Sequence, residues 1–433
     1  MKHLKYLGIF CALLFFRAGV LQAQPAGNGI YHIVATVCED ASTGVTVNYH
    51  CESGDSYVLY TPATDAAFTR PVKVSPVCRR WSTADIPNTF TPSTFYTHER
   101  FVCHATLSPL SPDTDYLFKI VAGGTESEVR SFRTAGTKED WNFVAFTDFQ
   151  HRLNPITLPL IGLIKAIAGN PPLMLCSGDM IDVAGDEEEW TWLLDSPVFK
   201  DFVYAASPGD HAYWANWKVN GTYPQYDFAY TFNNLFHFPG NGAPESKNTS
   251  YYFYYNNILF VALDMNNSDI ASGPRFTDQA EWFDETITRL AGTYRYLVVF
   301  EHKSVFGSSL IDAAVGRALR PLWFPLFQKH RVDLVLSGHD HVYSRTYPLD
   351  GDRRAADASS GTYYLDMGSS GDKWRNPDES VREGDALHER VFDLKTDRLS
   401  CAADIQVHDT FMKVTVYNQY GQIMDGFIVP AKR

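Results

Sequence analysis

Apolar and polar residues alternate along the first third of the chain in short runs. Examples lie at residues 45–49 and 57–60, and clusters of turn-forming residues separate such runs. Because successive side chains of a strand point to opposite faces, this pattern predicts an all-β unit over residues 28–135. The spacing that is typical of amphipathic helices is absent from this part of the sequence.

From residue 141 onward the pattern changes, and short apolar runs alternate with stretches of helical spacing. Helices are predicted at residues 156–168, 187–194, 277–290 with Thr277 as N-cap, and 313–328. Strands are predicted at residues 141–147, 172–177, 202–206, 251–255, 258–264, 295–300, 332–336, 362–367, 411–417 and 422–429. This mixed order indicates an α/β domain in which helices cover both faces of the sheet structure.

Residue types that bind metals follow nearly every predicted strand of this second part. The set comprises Asp148, Asp179 after Gly178, Asp210 and His211 after Gly209, His302, and the pair His339 and His341 after Gly338. Open α/β sheets bind ligands at the carboxyl edge of their strands. Carboxylates together with imidazoles suit zinc, iron or manganese. Two histidines in a polar loop can also lack any ligand role, but the recurrence at five strand ends favours a metal centre.

The amino terminus has the pattern of a secretory signal peptide. Lys2 and Lys5 precede an apolar run at residues 7–21, and the small residue Ala23 follows it. We therefore expect residues 1–23 to be removed and the protein to be exported to the periplasm or the extracellular space. No later stretch of the sequence is long and apolar enough to span a membrane.

Four of the six cysteines that follow the signal segment lie in the all-β unit. They are Cys38, Cys51, Cys78 and Cys103. In an oxidising compartment they predict two disulfides, and three pairings are possible. Cys176 ends an apolar run and is predicted to be a buried thiol.

The net charge limits the partners that the chain can have. Its formal value of −13 becomes −16 when the three basic residues Lys2, Lys5 and Arg17 leave with the signal segment. Such a charge argues against nucleic acid as a partner. A small phosphorylated substrate would need a local positive centre, and bound cations can provide it.

The order and spacing of these motifs resemble the calcineurin-like metallophosphoesterase superfamily. The motifs are Asp148, Gly178-Asp179 with Asp182, Gly209-Asp210-His211, His302 and Gly338-His339-Asp340-His341. The all-β unit resembles a fibronectin type III sandwich, whose closing hairpin pattern is carried by Leu110, Pro112, Thr114 and Tyr116. The combination is most similar to the purple acid phosphatase branch. It implies an αββα four-layer phosphoesterase sandwich at residues 137–433, preceded by an all-β fibronectin III-like sandwich at residues 24–136.

The resemblance also implies a role for each candidate residue. Asp179 would bridge two metal ions, with Asp148 and His341 on the first ion and Asp210, His302 and His339 on the second. A hydroxide between the ions would attack phosphorus in line, and His211 would act as general acid. The implied reaction is hydrolysis of phosphate monoesters, as in acid phosphatases. The alternatives are a phosphodiesterase or nucleotide hydrolase with the same metals, and a surface binding protein with a degenerate metal site.

Three positions depart from the family pattern. Asp182 stands where purple enzymes carry the tyrosine that colours bound iron, so we expect a colourless protein in which Asp182 orients His211 or caps a helix. Gln150 stands where other superfamily members carry a histidine, and either Gln150 or the adjacent His151 would complete the first metal site. Asp210 replaces the usual asparagine.

Side chains next to the motifs are candidates for contact with the substrate. Tyr213 follows the His211 motif, Lys303 follows His302, and Arg345 lies four residues after His341. Arginine forms planar, bidentate pairs with phosphate, although an arginine near acidic residues is as often structural.

Overall fold

The computed structural model describes residues 29–82, 99–151, 153–214, 228–266, 274–309, 313–384 and 387–433. The predicted signal segment at residues 1–23 lies outside these ranges. No helix formed by the described residues combines the length and the apolar character needed to cross a bilayer.

Strands dominate the described residues. They are β1 Ile30–Val37, β2 Val45–Cys51, β3 Ser56–Pro62, β4 Val72–Val74, β5 Val77–Trp81, β6 Arg100–Leu107, β7 Asp115–Ala122, β8 Thr125–Glu126, β9 Arg130–Arg133, β10 Trp141–Phe146, β11 Leu173–Cys176, β12 Val203–Ala206, β13 Tyr251–Tyr255, β14 Ile258–Ala262, β15 Tyr296–Lys303, β16 Leu334–Gly338, β17 Tyr343–Thr346, β18 Leu349–Asp350, β19 Arg353–Arg354, β20 Tyr363–Met367, β21 His388–Phe392, β22 Cys401–Val407, β23 Phe411–Asn418 and β24 Ile423–Pro430. The helices are α1 Thr157–Ile167, α2 Glu187–Leu194, α3 Tyr230–Leu235, α4 Pro274–Arg289, α5 Ala313–Lys329, α6 Glu379–Gly384 and α7 Leu394–Asp397. The elements predicted after residue 140 agree with these bounds to within about three residues. The sequence pattern misses the strands β17, β18, β19, β21 and β22 and the short helices α3, α6 and α7.

Two large sheets form the body of the structure. One contains ten strands in the order β24-β23-β22-β10-β11-β12-β1-β2-β6-β5, and the other contains seven in the order β13-β14-β15-β16-β20-β17-β21. Within them β10, β11 and β12 run parallel, as do β14, β15, β16 and β20. The sheets pack face to face, and the rings of Phe143 and Phe260 meet edge to face with centroids 5.2 Å apart. Parallel pairing places the carboxyl ends of neighbouring strands at the same edge of each sheet.

Helices cover the outer faces of both sheets, which confirms the predicted αββα order of layers. α1 contacts β22 and α2 contacts β1 on the ten-stranded sheet. On the other side, Phe283 of α4 and both Trp323 and Phe327 of α5 are buried against the seven-stranded sheet. α4 begins at Pro274, so the prediction that Thr277 caps this helix is wrong. Proline is favoured at a first helical position, because no N–H group is needed there.

The all-β unit shares a sheet with the phosphoesterase-like part of the chain. β4, β3, β7 and β8 form a separate sheet, with β9 paired to β7. β1, β2, β6 and β5 instead extend the ten-stranded sheet, because β1 pairs in parallel with β12, where Ala35 lies beside Val203. Tyr116 is buried and its hydroxyl accepts a hydrogen bond from Ser111 N at 2.9 Å, as a corner tyrosine would. The boundary at residue 136 and the fibronectin III likeness stay predictions.

One disulfide joins β5 to β6, between Cys78 and Cys103. Cys38 and Cys51 remain thiols, so the second predicted bridge does not form. These two thiols lie at opposite ends of β2, since Cys51 ends the strand and Cys38 Sγ is hydrogen bonded to Thr46 Oγ1 near its start, at 3.3 Å. Cys176 is a buried thiol, as predicted.

A buried ion pair ties the all-β unit to the rest of the chain. Arg100 of β6 donates a hydrogen bond to the carboxylate of Glu187 at the start of α2, and both side chains are almost fully buried. The guanidinium of Arg100 also lies 4.4 Å from the centroid of the Trp81 ring, and its Nε donates to His50 Nδ1 at 3.3 Å. Removing one partner of such a pair leaves the other charge buried without compensation.

We therefore expect Glu187→Ala to lower the free energy of unfolding by about 3–5 kcal/mol, because the buried Arg100 charge would lose the Glu187 carboxylate. Urea denaturation followed by tryptophan fluorescence measures the change. Glu285→Ala removes the same charge from the exposed surface of α4 and should leave the free energy nearly unchanged. Equal losses for the two variants would contradict a stabilising role of the Arg100 pair.

Candidate metal centre

The predicted ligands meet at one edge of the two packed sheets. Asp148 and Asp179 follow β10 and β11, Asp210 follows β12, His302 lies near the end of β15, and His339 and His341 follow β16. Five of these six residues are buried, and Asp210 is partly exposed. Because the first three come from one sheet and the last three from the other, the crevice between the sheets holds the whole set.

The six side chains form two groups that share one carboxylate. Asp179, Asp210, His302 and His339 bring one possible ligand atom each within 4.8 Å of one another, and Asp148, Asp179 and His341 do the same. Asp179 belongs to both groups. This is the arrangement in which a single carboxylate can bridge two cations.

The turns that present these ligands are tight. Asp148, Asp179, His339 and His341 all have a left-handed backbone, with φ values of 52°, 50°, 73° and 53°. A Cβ atom on Gly209 would lie 1.9 Å from Asp179 Oδ1, and one on Gly338 would lie 1.9 Å from Thr147 Oγ1. Only glycine therefore allows these two turns to approach their neighbours this closely.

In the group that contains Asp210, a hydrogen bond orients the imidazole of His302. His302 Nδ1–H donates to the carbonyl oxygen of Ser177 at 2.7 Å. Its Nε2 then faces Asp179 Oδ2 at 3.2 Å and Asp210 Oδ1 at 3.1 Å. His339 Nδ1 lies 3.0 Å from the same Asp210 oxygen. A histidine whose outer nitrogen is fixed in this way offers the inner one to a cation.

In the group that contains His341, the buried carboxylate of Asp148 is placed to bind a cation. Its Oδ2 accepts hydrogen bonds from Thr147 Oγ1 at 2.6 Å and from His339 N at 2.9 Å. Its Oδ1 is buried and has no hydrogen-bond partner among the described residues, and His341 Nε2 lies 3.4 Å from it. Buried polar atoms are nearly always satisfied, so this oxygen together with the imidazole suits zinc, iron or manganese.

Burial and the charges of neighbouring side chains shift the pKa values of the clustered residues. Burial raises the pKa of Asp148 to about 6. Burial acts on Asp179 in the same direction, but the imidazoles of His211 and His302 outweigh it and lower the pKa of this carboxyl. Burial would lower the pKa of His302, whereas the Asp179 carboxylate beside it raises that pKa well above its usual value. Burial thus dominates the pKa of Asp148, whereas the attraction between carboxylates and imidazoles dominates the pKa values of Asp179 and His302.

Gln150 faces the centre and His151 does not. Gln150 Nε2 donates to Asp179 Oδ2, while its Oε1 is buried without a hydrogen-bond partner among the described residues. His151 Nδ1 instead pairs with Asp372 Oδ1 at 2.7 Å, and its side chain is 45% exposed. Of the two candidates for completing the first metal site, Gln150 is therefore the one in reach.

His211 lies beside the shared carboxylate and is held by the backbone of Asp182. Its Nδ1–H donates to the carbonyl oxygen of Asp182 at 2.7 Å, whereas the Asp182 carboxylate stays 3.6 Å from the same nitrogen. We expected the Asp182 carboxylate to orient His211, but the hydrogen bond that orients this imidazole goes to the backbone carbonyl of Asp182. Glu189 of α2 fixes this loop by accepting from Asp182 N at 2.8 Å and from Val183 N at 3.2 Å, a contact that the sequence pattern does not reveal.

Two of the three predicted substrate contacts are engaged elsewhere. Tyr213 is buried and donates to Asp264 Oδ2 at 2.5 Å. Arg345 is buried in β17, where its Nε donates to Asp425 Oδ2 at 2.8 Å, and it also pairs with Glu389. These are structural positions, since the partner carboxylates already satisfy the donors.

The other candidates at the mouth of the centre are lysines. Lys303 is half-buried at the end of β15. The structure adds Lys373, whose Nζ lies 3.3 Å from His211 Nε2. Lys373 escapes the sequence analysis because it stands six residues beyond β20, outside the motifs. A signal was present in the glycine- and serine-rich run at residues 368–371 that follows this strand.

Two family models match the chain in the order of its two units. The model of the purple acid phosphatase N-terminal domain matches residues 30–134, and the model of calcineurin-like phosphoesterases matches residues 142–343. The chain belongs to the calcineurin-like phosphoesterases, in their purple acid phosphatase-like branch. All six candidate metal ligands lie inside the second match.

Curated relatives resemble this chain over part of their length. An uncharacterized protein of Mycobacterium tuberculosis is 27% identical over 317 residues, which is 62% of this chain and 58% of the relative. The phosphoenolpyruvate phosphatase of Allium cepa is 23% identical over 171 residues, which is 37% of this chain and 33% of the relative. The chain therefore covers less than two thirds of the length of these proteins.

Two solved structures share the fold across almost the whole chain. The purple acid phosphatase from yellow lupin seeds superimposes with a TM-score of 0.76 at 14% identity, covering 93% of this chain and 74% of the lupin protein. PhoD superimposes with a TM-score of 0.61 at 12% identity, covering 94% of each chain. The all-β unit and the α/β unit of the phosphoesterase thus occur together in a known architecture.

We expect Asp179→Ala to lose metal from both ligand groups, because its carboxylate is common to them, whereas Asp210→Ala should lose one equivalent. Each variant is loaded with zinc, freed of excess metal by gel filtration and measured by mass spectrometry of the elements. Asp397→Ala, an exposed aspartate of α7, serves as the control and should keep the wild-type content. Two retained equivalents in Asp179→Ala would contradict the shared ligand.

Proposed function

We propose that this phosphoesterase is an exported, dinuclear metal-dependent phosphohydrolase that acts on phosphate monoesters. The observation that carries the proposal is the Asp179 carboxylate, which belongs to both ligand groups. The relatives add support, since two of them are named phosphoenolpyruvate phosphatase and purple acid phosphatase 1. Export is supported by the signal-peptide pattern of residues 1–23, in which lysines precede an apolar run that is followed by a small residue.

The first ion would be held by Asp148, Asp179 and His341, with the amide of Gln150 beside them, and the second by Asp179, Asp210, His302 and His339. Iron, zinc and manganese all suit such oxygen and nitrogen donors. Bound ions would supply Lewis-acid activation of the phosphoryl group and of water. The protein's own part is to hold the carboxylates and imidazoles at fixed positions in a buried crevice.

His211 is the proposed general acid. With Nδ1 fixed on the Asp182 carbonyl, its Nε2 lies 3.6 Å from Asp179 Oδ2 and can hold the proton that the leaving alkoxide needs. The ring of Trp214 stacks on the imidazole with centroids 3.5 Å apart and shields one face from water. Asp182 positions His211 through its backbone carbonyl. The absence of a purple colour stays a prediction.

Hydrolysis of a chromogenic phosphate monoester and of the matching diester, with zinc, manganese or iron added, tests the proposal. We expect metal-dependent turnover of the monoester that a chelator removes and added metal restores. Turnover of neither ester with any of the metals would refute the enzyme and favour a binding protein with a degenerate site. Faster turnover of the diester would make diester hydrolysis the function.

His211→Ala should lower kcat for the monoester by about 10²–10⁴-fold, because the leaving oxygen would depart without a positioned proton donor. Its metal content should equal that of the wild type, since His211 belongs to neither ligand group. His408→Ala, which changes a histidine paired with Asp140 on the surface, is the matched control. Wild-type kcat in His211→Ala would show that another group donates the proton.

A further inference from the structure

Lys373 lies on a loop, residues 368–375, that reaches across the mouth of the candidate metal centre. Its ammonium nitrogen lies 3.3 Å from Nε2 of His211. Because the opposite nitrogen of this ring donates to the Asp182 carbonyl, Nε2 of the neutral imidazole can accept a hydrogen bond from Lys373, whereas the protonated ring that a general acid requires carries its second proton on Nε2 and makes no such bond. The ammonium is half-buried beside the nitrogen that would deliver a proton to the leaving group.

The loop is fixed to two of the turns that carry candidate metal ligands, those of Asp148 and His341. Ser370 N donates to the carbonyl oxygen of Thr147, next to Asp148, at 2.9 Å. Arg375 N donates to the carbonyl oxygen of His341 at 3.0 Å. With anchors on either side, the backbone position of Lys373 is set relative to the ligands, which is what a substrate-positioning side chain requires.

No carboxylate among the described residues lies within ion-pair distance of Lys373. The adjacent Asp372 faces the other way and pairs with His151 at 2.7 Å. The nearby Asp182 carboxylate responds to the Lys373 charge, which lowers its pKa, although burial dominates and the net pKa is raised. Lys373 is thus a cation that points into an acidic crevice with an imidazole as its hydrogen-bond partner.

We propose that Lys373 binds a non-bridging oxygen of the substrate phosphoryl group and makes the centre prefer dianionic phosphate monoesters over monoanionic diesters. This inference rests on the proposed function. A monoester carries nearly two negative charges above pH 7, because its second pKa is about 6, whereas a diester carries one. The attraction to a fixed ammonium grows with that charge. A diester also replaces one of the oxygens that can accept from Lys373.

Lys373→Met tests the inference, because it keeps an unbranched side chain only one atom shorter and removes the charge. At pH 7.5 we expect kcat/KM for a chromogenic monoester to fall about 10–100-fold, as loss of a charge-assisted hydrogen bond implies, and that for the diester to fall much less. Lys373→Arg should recover most of the preference. Lys395→Met, on the exposed surface of α7, controls for the loss of one positive charge.

Isothermal titration with inorganic phosphate gives a reading that does not need turnover. Lys373→Met should bind phosphate about 10–100-fold more weakly than the wild type and hold the same amount of metal. Equal loss of kcat/KM for both esters, or equal phosphate affinity in Lys373→Met and wild type, would overturn the inference. If the wild type hydrolyses neither ester, the proposed function fails, and the phosphate affinities alone decide on Lys373.

Discussion

The structure depends on a backbone constraint, namely the left-handed turns that end its central strands. Four of the six candidate ligands have a positive φ, and for residues other than glycine this costs roughly 1–2 kcal/mol each. Such strain persists where packing fixes the chain, and here Gly209 and Gly338 allow neighbouring turns to come within van der Waals contact. The side chains of these turns lie in the crevice between the sheets, where they form the two ligand groups.

The second constraint is charge, since Asp148, Asp179 and Asp210 converge in a crevice with little solvent. Burial disfavours their charged forms, so the arrangement is stable only with cations or protons among them. The all-β unit contributes on the same side of the molecule, because β1 extends the sheet next to β12, the strand that leads to Asp210. The strands β1, β2, β6 and β5 of this unit extend the ten-stranded sheet. The ion pair between Arg100 and Glu187 attaches the unit to α2. The two units of this chain are therefore joined by hydrogen bonds of one sheet and by a buried ion pair.

Sequence reasoning succeeded where a local rule links residue type to position. Carboxylates and histidines after apolar strands meet at one edge because parallel strands end there, so the pattern predicted that these side chains lie together, while their role as metal ligands stays a prediction. It failed where the outcome depends on a distant partner. Nothing near Arg345 reveals that Asp425 and Glu389 bind it, and nothing near Lys373 reveals that its loop crosses to His211. The parallel pairing of β1 with β12 joins strands over 160 residues apart, which alternation of apolar residues does not encode.

The motif around His339 and His341 shows why the residue between two ligands matters. Asp340 points away from the crevice, and its Oδ2 accepts hydrogen bonds from Ser308 N and, at 2.9 Å, from Ser309 N. These serines lie in the segment that follows β15, the strand that carries His302. A Cβ atom on Gly307 would lie 2.7 Å from the same carboxylate, so this segment also approaches closely. Asp340 thereby ties the turn that presents two imidazoles to the strand that presents the third, which helps to set the spacing between them.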